Sequence, residues 1–132
     1  MSTNLHQLKE IFTRVKHHLL TQGVKSQEST YQERCFYRGP NATKCAVGCL
    51  IRDELYRVSL EGRPVHWCDV KKALQNSLDI ELDDRALRFL DALQKVHDLD
   101  DVQSWEGNLD FLWISFLNLF SDENKANGKF SK

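Results

Sequence analysis

From Leu109 to Phe120 nine of twelve side chains are apolar (Leu109, Phe111, Leu112, Trp113, Ile114, Phe116, Leu117, Leu119 and Phe120), more than one stripe of a surface helix displays. Their spacing and number predict a helix buried all round, the central element of a helical domain. The alternative keeps one side of the 109–120 helix for a partner or for a second copy of the chain, which would make a homodimer through it.

Two further helices show one-sided patterns. Leu5, Leu8, Ile11, Phe12, Val15 and Leu19 recur at steps of three and four, with Asn4 placed to cap the start and Gly23 to end the helix. Lys16, His17 and His18 suit the negative pole of that helix, and adjacent positions point about 100° apart, so the two histidines read as solvated residues rather than ligands. Leu87, Leu90, Leu93 and Val96, with Phe89 beside them, mark a second long helix opened by Asp83 or Asp84 and closed by Asp98-Leu99-Asp100-Asp101, with His97 expected on its solvent side as a pair with Asp98. Val70 to Ser77 reads as a short helix, Ser26 to Glu33 as a further helical turn, and Arg57 to Trp67, with Gly62 and Pro64, as a surface loop.

The 132 residues suffice for one hydrophobic core and are too few for two ordinary domains. The expected architecture is mainly α, one small helical domain over residues 1–120, with at most a two-stranded β-hairpin near 35–51 (α+β in that limited sense) and a polar, flexible tail over 121–132. Eighteen basic and nineteen acidic side chains leave a formal charge of -1, which argues against nucleic acid as a partner. No apolar run approaches the ~20 residues of a membrane span, and the N-terminus lacks the pattern of a secretory signal, so the expected location is the cytoplasm. In that reducing setting the four cysteines read as free thiols or metal ligands, and the Asn41-Ala42-Thr43 sequon goes unused.

Chemistry could concentrate between Cys35 and Tyr56, where three cysteines, a Gly39-Pro40 turn and the apolar run from Cys45 to Ile51 fall together. Either the two flanks of the turn pair as a hairpin, or the turn leads into a short helix from about Cys45 whose Leu50 and Leu55 face the core. Three constellations arise. Cys35, Cys45, Cys49, His66 and Cys68 offer soft ligands for tetrahedral zinc, although the spacings lack the Cys-x2-Cys pairs of structural zinc sites, and small buried thiols account for the same residues. Cys45 as nucleophile with His66 as base, Asp69 or Asp53 as orienting group, and His97 as substitute base would make a thiol hydrolase. Tyr37, Arg38, Gly39, Asn41 and Lys44, followed by Arg52 and Asp53, could bind a phosphate, a nucleotide or an acidic partner surface; otherwise they form a solvated turn with Tyr37 packed on the core. No motif in the chain calls for a cofactor.

The run Cys35-x-Tyr37-Arg38-Gly39-Pro40-x(4)-Cys45-Ala46-Val47-Gly48-x-Leu50-Ile51-x-Asp53-x-x-Tyr56, with Leu90, Leu93, Gln94, His97, Asp98 and Trp105 downstream, resembles a family of small proteins encoded by tailed phages and prophages. Relatives in that family tend to carry Gly where Ala42 stands and Pro where Arg52 stands. The resemblance implies no reaction. It implies a non-enzymatic accessory protein that binds a host protein, inhibiting a host enzyme or a defence system from the host cytoplasm. The competing expectation is a small-ligand or zinc-binding domain built on the cysteine and His66 set.

Overall fold

The computed structural model describes residues 3–27 and 35–130, with side chains described through residue 119. α1 (Leu5–Gln22) begins with a capping box, in which the Asn4 side chain accepts from the Gln7 N–H at 2.8 Å and the Gln7 side chain accepts from the Asn4 N–H at 2.9 Å. It ends on Gly23 in the left-handed region, at φ 69°. Between them Leu8, Ile11, Phe12, Val15 and Leu19 are buried. α2 (Cys68–Leu78) buries Val70, Ala73 and Leu74 and packs on the turns at Gly48–Leu50 and Asp53–Leu55. α3 (Asp84–Leu99) is capped by Asp83, whose carboxylate accepts from the Ala86 N–H at 2.8 Å. Thr3 ties the chain start to this cap: its hydroxyl donates to the Glu81 carbonyl at 2.7 Å and its N–H to Asp83 at 3.2 Å. α4 (Trp105–Phe130) lies against both α1 and α3.

Where α1, α3 and α4 meet, Phe12, Phe89, Trp113 and Phe116 form an aromatic cluster, with Phe12 stacked on Trp113 at 5.1 Å and Phe89 4.6 Å from Phe116 between ring centroids. The domain is mainly α, and among the described residues none belongs to an extended strand. What the hairpin reading anticipated near 35–51 is reduced to one antiparallel bridge, Arg38 with Lys44, across the Gly39-Pro40 turn. Residues 45–51 then form neither strand nor α-helix. They bend through a single 3-10 turn at Gly48–Leu50, which buries Cys45, Ala46, Val47, Leu50 and Ile51 on the helices.

Two expectations are corrected. The final helix is not buried all round: Trp105, Leu109 and Phe116 face the core, whereas Phe111 is 72% exposed, Ile114 56% and Leu119 64%. On a 100° wheel Phe111 and Ile114 lie opposite Trp105 and Leu109, a separation that a count of apolar residues overlooks. The helix also continues past residue 120 as far as Phe130, because extending a formed helix avoids the cost of nucleating one. The helical turn expected over 26–33 lies largely outside the described residues.

Candidate functional site

The residues of the 35–56 motif build a polar knot rather than an open site. Gly48 sits directly against the Tyr37 backbone, where a Cβ would fall well inside 3.0 Å of the Tyr37 carbonyl. Tyr37 is consequently a core residue, 6% exposed, and its hydroxyl donates to the Arg63 carbonyl. Arg38 runs along the surface of the knot. Its guanidinium donates to the Ile51 carbonyl at 2.7 Å, pairs with Asp53 at 2.7 Å and lies 4.7 Å from the Tyr56 ring centre. Glu61, which no motif reading singled out, closes the knot: its carboxylate accepts from the Tyr37 N–H at 2.8 Å, the Arg38 N–H at 3.0 Å and the Tyr56 hydroxyl at 2.6 Å.

The remaining residues proposed for binding are scattered around this knot. Asn41 is exposed in the turn at φ 58°; Arg52 is exposed, with its N–H donated to the Ser77 hydroxyl at 2.9 Å; Asp53 is 81% exposed at its side chain. The Lys44 ammonium lies 3.7 Å from Asp53, and the Lys44 backbone is held by Gln22 on both sides, N–H and carbonyl. The Arg38 hydrogen bond, its charge and then Lys44 hold the Asp53 carboxyl below its ordinary range. His18, read as solvated, instead contacts the Lys44 carbonyl through Nε2 at 2.9 Å.

A second polar centre lies under the first. His97 is fully buried, against the expectation of a solvent-facing residue, because it falls on the same stripe of α3 as Leu90 and Leu93. Its ring stacks on Trp105 at 5.5 Å, its Nδ1 is 2.7 Å from Asp98, and its Nε2 accepts from the Ser26 N–H at 2.9 Å. The Ser26 donor makes Nε2 the acceptor, so Nδ1 carries the proton and donates to Asp98. Gln94 joins the two centres, accepting from the Val47 N–H at 3.0 Å and donating to Asp98 at 2.8 Å. A cleft of about 340 Å³ opens above them between residues 61–65 and α3, with Cys35, Glu61, Asp91 and Asp98 on its walls.

These positions decide the chemistry. Of the set Cys35, Cys45, Cys49, His66 and Cys68, no three converge among the described residues; the trio that does is Cys35, His97 and Asp98, with one donor atom from each within 4.8 Å of the others. That trio suits a metal poorly, because a metal on Nδ1 would move the proton to Nε2, where it would meet the Ser26 N–H. The thiol-hydrolase arrangement is not assembled either. Cys45 is fully buried, its Sγ accepting from the Gly48 N–H at 3.3 Å, while His66 and Asp69 are exposed. Burial, and then the Asp98 charge, pushes the Cys35 thiol up to about 11, and burial pushes Cys49 up to about 12. Both are thiols rather than thiolate nucleophiles at neutral pH.

Single apolar side chains are exposed at Val58, Trp67 and Leu99, and α4 exposes Phe111, Ile114 and Leu119 together. Gly107, Phe111, Ile114 and Asn118 follow one another at steps of four, three and four along its outer face. Beside that face a groove of about 250 Å³ runs between α3 and α4, bordered by Arg85 and Arg88 and floored by Phe89, Ala92, Leu112 and Phe116, with Leu119 at its edge. Among the described residues no helix is long and apolar enough to cross a membrane. No family model, no curated protein and no solved structure matches the chain.

Proposed function

We propose that this chain is a non-enzymatic binding protein of phage type that docks on a host protein and blocks it, as an anti-defence factor or an inhibitor of a host enzyme would. The observation that carries this reading is a division of labour. The motif's reactive and charged groups (Tyr37, Arg38, Cys45, His97) are committed to internal bonds or the core, while Phe111 and Ile114 stand in water on the outer face of α4. The host context comes from the resemblance to tailed-phage proteins. The contact surface thereby shifts from Tyr37 and Arg38 to α4, with Asn41, Arg52 and Asp53 left as exposed polar groups at the other end of the motif.

The test is affinity capture from bacterial host lysate with wild type, Phe111→Asp and Ile114→Asp, quantified by mass spectrometry. Both side chains are exposed, so both variants keep the wild-type circular dichroism. The reading requires a captured protein that both variants lose; capture unchanged by either variant refutes it. A second copy of the chain is the competing occupant, favoured by the four-three-four spacing of Gly107, Phe111, Ile114 and Asn118, which is the seam spacing of paired helices. Native mass spectrometry of the reduced protein separates the two, since a dimer that Ile114→Asp turns into monomer assigns the face to self-association.

A further inference from the structure

Beside the exposed face of α4 lies the groove between α3 and α4. Its floor is apolar, formed by Phe89, Ala92, Leu112 and Phe116, and Leu119, 64% exposed, stands at its edge. At about 250 Å³ it falls short of the ~300–1,000 Å³ of small-molecule pockets, and it fits a few anchoring side chains rather than a whole ligand. It runs between two packed helices, so the complementary shape is the ridge of a third. Charge fixes the rest. Among the described residues that border the groove, both charged ones are arginines, Arg85 and Arg88. Arg88 is exposed and uses Nε on the Asp84 carbonyl at 3.4 Å, which leaves its two terminal nitrogens outside that bond. On the opposite flank of α4, Asp110 pairs with Lys16 at 2.7 Å.

We propose that the groove between α3 and α4 receives an acidic amphipathic helix of the partner protein, with apolar side chains on the Phe89, Leu112 and Phe116 floor and carboxylates against Arg88 at the rim. This assignment rests on the reading of the chain as a binding protein and names the chemistry of its partner. Carboxylate pairing with arginine at the rim supplies orientation and discrimination, and the seated apolar side chains supply most of the affinity.

The test uses two fluorescein-labelled helical peptides of about 18 residues, with leucines at i, i+3, i+4 and i+7 and with either glutamates or lysines flanking them. Fluorescence anisotropy is expected to show the acidic peptide binding at least about tenfold more tightly than its basic twin, with the difference shrinking as salt rises from about 0.05 to about 0.3 M. Arg88→Glu, an exposed change that leaves the fold intact, should abolish or reverse that preference. Amide shift changes on adding the acidic peptide should map to residues 85–92 and 112–119. Equal binding of the two peptides, binding of neither, indifference to Arg88→Glu, or shifts confined to other elements would each overturn the proposal. If neither peptide binds while Phe111→Asp still removes a captured host protein, the binding-protein reading stands and the groove assignment falls.

Discussion

Ala42→Gly should stabilise this protein. Ala42 sits at φ 60°, immediately after Asn41 at φ 58°, so two consecutive residues of the Gly39–Thr43 turn occupy the left-handed region. Asparagine tolerates that conformation through its short polar side chain. Alanine does not, because its Cβ approaches the following carbonyl at a cost of roughly 1–2 kcal/mol. Glycine removes that cost and returns about 0.4–1 kcal/mol by enlarging the freedom of the unfolded chain. The difference is a net gain of about 0.5–1 kcal/mol. Ala42 is exposed, so no packing is lost with its methyl group. The turn is also anchored independently of residue 42, by the Gly39 N–H on the Thr43 carbonyl at 2.9 Å and the Thr43 hydroxyl on the Pro40 carbonyl at 2.7 Å. For a domain of this size the gain corresponds to a rise in Tm of about 2–5 °C in differential scanning calorimetry. An unchanged or lower Tm would refute the argument, since it would mean that the turn either relaxes alanine out of the left-handed region or needs its side chain.

Gly48→Ala should act in the opposite direction and more strongly: the new Cβ meets a backbone carbonyl that cannot rotate away, and displacing it endangers the Cys45 N–H bond to Tyr37 at 3.3 Å. A loss of about 3 kcal/mol in urea unfolding is expected, and a loss under about 0.5 kcal/mol would show that the close approach is dispensable. Asp53 carries a lowered pKa, so its contribution to stability is present above the ordinary carboxylate range and disappears as pH falls through the folded value. The Tm difference between wild type and Asp53→Asn should therefore shrink between about pH 6 and pH 3, and a difference that grows on acidification contradicts the pairing. In thiol titration with Ellman's reagent near pH 8, Cys68, the exposed cysteine, should react at once, while Cys45 and Cys49 wait for denaturant. Fast reaction of Cys45 would revive the nucleophile reading.

Helices α1 and α3 were legible because spacing and caps agreed: the apolar steps of three and four coincide with Asn4 and Gly23 at the ends of one helix and with Asp83 at the start of the other. Polarity alone places His97 outside, but position 97 follows Leu90 and Leu93 at steps of three and four and so belongs to the buried stripe. In α4 apolar content alone places Phe111 and Ile114 inside, whereas their direction on the helix turns them to solvent. Glu61 could not have been found from local pattern, because its partners Tyr37 and Arg38 lie 24 and 23 residues away and are brought to it only by the fold.

The density of motif residues between 35 and 56 has a physical explanation that requires no chemistry of catalysis. This stretch crosses the core with only short 3-10 turns and two isolated bridges, Cys35 with Gln27 and Arg38 with Lys44, so most of its backbone donors and acceptors have no helix or sheet ladder to join. Side chains take over that role. Glu61 accepts two consecutive N–H groups, Gln94 accepts the Val47 N–H, Arg38 serves the Ile51 carbonyl, and Gln22 serves both groups of Lys44. Each of these bonds needs a particular side-chain length and charge at a particular place, and an apolar substitute would leave a buried backbone group without a partner, at a cost of about 1–3 kcal/mol. A short sequence held in irregular form is therefore as tightly constrained as an active site would be. Where specificity of sequence is required by the backbone, it does not locate function, and the surfaces left free of that duty, on α4 and along its groove with α3, are the ones where recognition of a partner should be sought.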